Sequence, residues 1–169
     1  MRLLIIFLLI FNAVNFCQAS EKLTDTTTIE LSILWRLPVD PAKWESKEFE
    51  KLLQDSTKFV PVGNFYKPKS KMNVFGHEVL YVGAVGMGEI PGPNAMLKGS
   101  PEKIANYIRE KYKIKFVKEG NEFHGDIKET ATAGGEMYRV KIRDYVKLVI
   151  APNPEKKDET IVIGAYLGP

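Results

Sequence analysis

The chain from Lys113 onward is a succession of strand patterns separated by short turns. Residues 113–118 and 122–127 flank Gly120-Asn121, the glycine-first pair that is typical of a two-residue β-hairpin turn. Further extended patterns cover 138–143, 145–150 and 161–167. Strands joined by short turns pair antiparallel, because a parallel pair needs a crossover of a dozen or more residues. The C-terminal part of the chain therefore predicts an antiparallel sheet.

Two segments predict helices. Ser100-Pro101-Glu102 combines a capping hydroxyl, a proline suited to the first helical position and an acid in the first turn. The apolar stripe of this helix consists of Ile104, Ala105, Ile108 and Tyr112. Asp40-Pro41 predicts an earlier helix that runs to about Gln54. Its stripe consists of Phe49, Leu52, Leu53 and Ala42.

The remaining segments complete the predicted fold. Apolar residues alternate with polar ones over 29–37, which predicts a half-buried strand. Prolines and glycines interrupt 55–71, so we expect an irregular stretch with an exposed basic loop at 67–71, and 72–85 is predicted to be extended. The expected class is α+β, a mostly antiparallel sheet of about six to seven strands with two helices. No internal repeat is evident in the sequence.

The N-terminus has the pattern of a secretory signal peptide. Arg2 precedes the apolar run Leu3–Phe11, and small residues stand at Cys17 and Ala19. We expect cleavage after Ala19, since the apolar run is about half of the roughly 20 residues needed to cross a bilayer. The predicted organisation is 1–19 signal peptide, 20–28 flexible leader and 29–169 a single α+β domain.

Composition limits the location and the classes of partner. Cys17 is the one cysteine of the chain and would leave with the signal, and the chain contains no Asn-x-Ser/Thr glycosylation site. These features favour export to a bacterial periplasm or to the exterior, with no stable membrane insertion after cleavage. The formal net charge of +3 falls by one when Arg2 is removed. A nearly neutral chain gives no field to attract nucleic acid, so we expect no nucleic-acid partner.

A glycine-rich segment is the first candidate site. Residues 83–88 follow a predicted strand, but the glycine spacing differs from that of phosphate-binding loops and no helix begins there. One interpretation is a strand that bends into a proline-rich turn. The other is a binding loop that presents Met87 and Ile90 to a partner. The candidate partner-binding residues are Gly86, Met87, Gly88, Ile90, Pro91 and Asn94.

Alternating basic residues form the second candidate site. Arg139, Lys141 and Arg143, together with Lys113 and Lys115, would give the sheet a positive outer face. Such a face can simply be solvated and protect strand edges. Alternatively, it is a docking surface for acidic protein loops or for anionic envelope polymers.

The histidines define an enzymatic alternative. His77 is followed by Glu78, and His124 stands two residues before Asp126, which places the latter pair on the same face of a strand. A zinc or acid–base site would require the fold to bring His77 and His124 together. Ordinary strand histidines are the other interpretation, and we expect no metal and no cofactor. No serine occupies a G-x-S-x-G turn, so a nucleophilic hydrolase has no motif here.

These sequence features favour a binding domain over an enzyme. We expect an exported, non-catalytic domain that binds a protein or an envelope partner, such as an inhibitor, an adhesin-like module or an assembly factor. The alternative is a small secreted hydrolase or metal-dependent enzyme that uses the two histidines. A structural envelope component that associates with itself is a third possibility.

Overall fold

A computed structural model describes residues 23–40, 45–83, 92–127 and 146–166. Within these ranges the chain forms three helices and eleven strands. The helices are α1 Asp25–Ile33, α2 Lys47–Leu53 and α3 Pro101–Tyr112. The strands are β1 Val39–Asp40, β2 Glu45–Ser46, β3 Phe59–Val62, β4 Phe65–Pro68, β5 Asn73–Val74, β6 His77–Gly83, β7 Asn94–Lys98, β8 Phe116–Glu119, β9 Glu122–Asp126, β10 Val146–Pro152 and β11 Glu159–Tyr166.

Nine of the strands form one antiparallel sheet. Its order is β3-β4-β6-β7-β11-β10-β9-β8, with β5 paired to β6 outside this path. One half of the sheet is built from β3, β4, β6 and β7 in chain order, and the other half from β11, β10, β9 and β8 in reverse chain order. The two halves meet where β7 pairs with β11. The α+β class with an antiparallel sheet is confirmed. The numbers of strands and helices exceed the predicted six to seven and two.

The predicted strand over 29–37 is wrong, because Asp25–Ile33 is a helix. Thr24 caps it, its hydroxyl accepting a hydrogen bond from the Thr27 amide at 3.2 Å. Ile29 and Ile33 are four residues apart, so they share a helical face, and both are fully buried. Helix α1 also includes the last four residues of the expected 20–28 leader.

Helix α2 begins later than predicted. Asp40 lies in β1 opposite Glu45, and the Ser46 hydroxyl caps the helix by accepting from the Phe49 amide at 3.1 Å. The Ser46 hydroxyl, next to the helix, satisfies an otherwise free amide. The predicted stripe of Phe49, Leu52 and Leu53 is buried as expected, and Ala42 lies outside the described residues.

The stretch predicted to be irregular contains a hairpin instead. β3 and β4 pair across Gly63-Asn64, and Gly63 has a φ of +59°, which a glycine adopts without strain. The expected extended segment from 72 is divided at Phe75-Gly76 into β5 and β6. Lys67 belongs to β4, and only the end of the predicted basic loop at 69–71 lies outside a strand.

Most of the C-terminal predictions are confirmed where the structure describes them. α3 begins at Pro101 and buries Ile104, Ala105 and Ile108, but the predicted capping by the Ser100 hydroxyl is wrong, because that hydroxyl makes no capping hydrogen bond. β8 and β9 form the predicted hairpin around Gly120, whose φ is +61°. β8 begins at Phe116, later than predicted, because Lys113 ends α3 with a φ of +60°. β10 and β11 pair along seven residue positions. The strand predicted over 138–143 lies outside the described residues.

The helices pack on one face of the sheet. The Trp35 indole N–H donates to the Gly164 carbonyl at 2.9 Å, and a Cβ at Gly164 would lie 2.0 Å from the Ile33 oxygen. Leu148 pairs with Gly164 and therefore points to the same face, where it is fully buried. This close approach of α1 to β11 fixes the centre of the core.

Candidate functional site

The two histidines do not meet. His77 is on β6 and His124 on β9, and three strands lie between them, which separates them by roughly 19 Å at the usual strand spacing. His77 Nδ1 is 2.8 Å from the Phe75 carbonyl, and His124 Nε2 is 3.0 Å from Glu122 Oε2. The enzymatic alternative required His77 and His124 to lie in one pocket, and this prediction is wrong. Within the described ranges, no three potential metal-ligating side chains cluster together.

The acids that accompany the histidines are also separate. Glu78 Oε2 lies 3.5 Å from Lys71 Nζ. Asp126 stands opposite Lys147 in the pairing of β9 with β10. Neither carboxylate is brought to the other histidine.

Most predicted partner-binding residues lie outside the described residues. This holds for Gly86, Met87, Gly88, Ile90, Pro91, Arg139, Lys141 and Arg143. Asn94 is described, and it is 2% exposed. Its side-chain amide donates to the Gly92 carbonyl at 3.2 Å, so Asn94 supports a turn from inside the fold.

A groove of about 420 Å³ lies between β4, β6 and the loop from β10 to β11. We call it the lysine groove. Strand β4 and the residues after it supply one wall, β6 supplies the floor, and the β10–β11 loop supplies the other wall. The lining residues are Lys67, Pro68, Lys69, Ser70, Lys71, Glu78, Val79, Leu80, Tyr81, Lys156 and Glu159.

The lysine groove carries an excess of positive charge. Four lysines face two glutamates, which leaves a net charge of +2. Lys71 contacts Glu78 at 3.5 Å and Lys156 contacts Glu159 at 3.0 Å. Lys67 and Lys69 are exposed and form no ion pair with any residue that the structure describes. Two ammonium groups are therefore available to an anionic ligand.

One wall of the lysine groove is fixed by hydrogen bonds. The Asn153 side chain donates to Glu159 Oε2 at 2.9 Å, and Lys156 donates to Glu159 Oε1 at 3.0 Å. The Glu159 side chain is mostly buried, and its hydrogen bond raises the pKa of Lys156. Lys156 is thus held charged and in place at the rim.

The floor of the lysine groove is partly apolar. Leu80 and Tyr81 are half-buried, and the Tyr81 ring packs edge-to-face on Phe65 with centroids 6.5 Å apart. An aromatic ring held in this way offers a rigid contact surface at low entropic cost. The groove can therefore hold a ligand that carries an apolar group next to its carboxylates.

A second polar cluster is buried around Glu30 in α1. Glu30 accepts hydrogen bonds from the Phe75 amide at 2.6 Å, from Lys111 Nζ at 2.8 Å and from the Tyr112 hydroxyl. The hydrogen bond to Glu30 raises the pKa of Lys111. The pKa of Tyr112 is raised mainly by burial and, to a smaller extent, by its hydrogen bond to Glu30. The cluster ties α1 to α3 and to the β5–β6 turn, and we assign it a structural role.

Local sequence patterns indicate only part of the lysine groove and of the Glu30 cluster. The pattern around Lys67, Lys69 and Lys71 predicts an exposed basic stretch, but nothing local places Lys156 beside them. Glu30 was expected on the polar side of a strand, so its burial was missed.

Comparison with protein-family models, with curated proteins and with solved structures found no match. Among the described residues, none of the helices is long and apolar enough to cross a membrane.

Proposed function

We propose that this protein is an exported, non-catalytic binding domain whose lysine groove receives an acidic segment of a partner protein. The observation that carries the proposal is the pair of exposed lysines without an ion-pair partner, Lys67 and Lys69, at the rim of a partly apolar groove. Export rests on the signal pattern of residues 1–19.

Charge and apolar contact have different roles in this groove. An exposed ion pair contributes about 0.2–1 kcal/mol, so the lysines orient an acidic segment without holding it alone. Burial of one leucine or phenylalanine side chain against Leu80 and Tyr81 would contribute about 1.5–3 kcal/mol. A protein segment supplies both groups, whereas an anionic polysaccharide supplies mainly the charge. This difference favours a protein partner over an envelope polymer.

The enzymatic alternative has lost its geometric support. It required His77 and His124 in one pocket, and they stand on strands that are not neighbours.

The first experiment uses a fluorescein-labelled peptide of alternating glutamate and leucine, with binding to the purified protein followed by anisotropy. Lys67→Glu/Lys69→Glu should weaken binding at least about tenfold, because two attractions become repulsions. The matched control is Lys47→Glu/Lys103→Glu, which changes the net charge equally at exposed positions of α2 and α3 outside the groove. It should bind like the unmodified protein.

Two further measurements complete the test. Raising NaCl from about 0.1 M to about 1 M shortens the Debye length from about 10 to about 3 Å and should weaken peptide binding. Affinity capture from envelope extract and medium, read by mass spectrometry, should retain a protein with the unmodified domain and with the control but not with the groove variant. Equal losses in both double variants would reject the groove. Retention of an anionic polymer without peptide binding would reject the protein partner.

A further inference from the structure

The two outer edges of the large sheet differ in their free backbone groups. In the hairpin closed by Gly63-Asn64, hydrogen-bonded residue pairs alternate with pairs that are not hydrogen-bonded to each other. Phe59 and Pro61 belong to the second kind, so their backbone groups point outward from β3. The Phe59 amide already donates to the Asp55 carbonyl at 3.0 Å, and proline has no amide hydrogen. The outward side of β3 therefore offers no free donor for another strand.

The opposite edge of the described sheet is β8. The same two-residue hairpin geometry at Gly120-Asn121 points the amides and carbonyls of Phe116 and Lys118 outward. No other strand of the described residues pairs with this side of β8. Val117 is 63% exposed, the largest exposure among the large apolar side chains that the structure describes. An edge strand with outward amides and carbonyls and an exposed valine can pair with another strand.

We propose that β8 pairs antiparallel with β8 of a second copy of this chain, about a two-fold axis at Val117. In this register Val117 lies opposite Val117 of the second copy, and Phe116 lies opposite Lys118. Lys115 then stands opposite Glu119, so opposite charges face each other on both sides of the axis. The strand is complementary to itself in charge as well as in hydrogen bonding.

The pairing closes at two copies. A two-fold contact uses the same patch on both subunits, and the blocked β3 edge prevents extension into a filament. Four residues make a short interface, so we expect a concentration-dependent dimer. The lysine groove lies near the other end of the sheet and remains accessible, which keeps this inference independent of the proposed function.

Sedimentation equilibrium from about 1 µM to about 1 mM tests the proposal. The unmodified protein should pass from monomer to dimer within this range. Lys118→Pro should abolish the dimer, because it removes an outward amide without affecting the bonds between β8 and β9. Lys118→Ala is the matched control, since it keeps the amide, and it should still dimerise.

A charge exchange identifies the register. Lys115→Glu and Glu119→Lys should each weaken the dimer about tenfold, because like charges then face each other twice. The double exchange Lys115→Glu/Glu119→Lys should restore it. Circular dichroism confirms that each variant is folded. A monomer at about 1 mM, or a dimer unaffected by Lys118→Pro, would overturn the proposal.

Discussion

Replacing Glu30 with alanine should destabilise the fold by about 3–5 kcal/mol, the usual cost of breaking a buried charged pair by removing one partner. The Phe75 amide is fully buried, and its loss of an acceptor contributes about 1–3 kcal/mol. The half-buried Tyr112 hydroxyl also loses its partner. Lys111 contributes little, because its side chain is 45% exposed and can be hydrated.

Urea and thermal unfolding followed by circular dichroism measure this effect. A loss of this size corresponds to a fall in Tm of roughly 10 °C for a chain of this length. Glu30→Gln should cost less, since its amide oxygen can still accept from Phe75. Glu110→Ala is the control, because Glu110 is an exposed residue of α3. If Glu30→Ala loses no more than about 1 kcal/mol, the cluster is not the clamp that we infer.

Two other predictions concern stability. The pKa values of Lys111 and Tyr112 are raised in the folded protein, so the unfolded chain loses these protons first. The free energy of unfolding should therefore decrease above about pH 10. Urea titrations from pH 8 to 11 measure this decrease, and Glu30→Ala should make the free energy of unfolding depend less on pH. Gly164→Ala should destabilise the protein far more than Gly63→Ala, because it puts a Cβ 2.0 Å from a backbone oxygen of α1. Gly63→Ala costs only about 1–2 kcal/mol, since Gly63 has a φ of +59° and its Cβ would point into open space. Equal shifts in Tm would contradict the packing of α1 on β11.

The two hairpins show what kind of signal a sequence carries. Gly120-Asn121 was recognised as a turn because clear extended patterns flank it. Gly63-Asn64 makes the same kind of turn, but Pro61 and Pro68 obscured the strands around it. In the structure, Pro61 points its nitrogen outward from an edge strand, where no hydrogen bond is lost.

The first helix shows how a local pattern can mislead. Apolar and polar residues alternate over 29–37, which predicts a strand, yet Ile29 and Ile33 are four residues apart and also fit one face of a helix. The capping hydroxyl of Thr24 and the burial of this face against β11 decide between the two. The cap is local, but the contacts with β11 come from residues more than a hundred positions away, such as Gly164.

The sequence by itself determined the α+β class, the start of α3 and the β8–β9 hairpin, because a proline at the first helical position and a two-residue turn act on backbone groups within about four residues. The tertiary structure alone decided which strands are neighbours. That order separates His77 from His124, brings Lys156 to the rim beside Lys67, and buries Glu30. These relations depend on long-range strand pairing and helix packing, which no local pattern in the chain specifies.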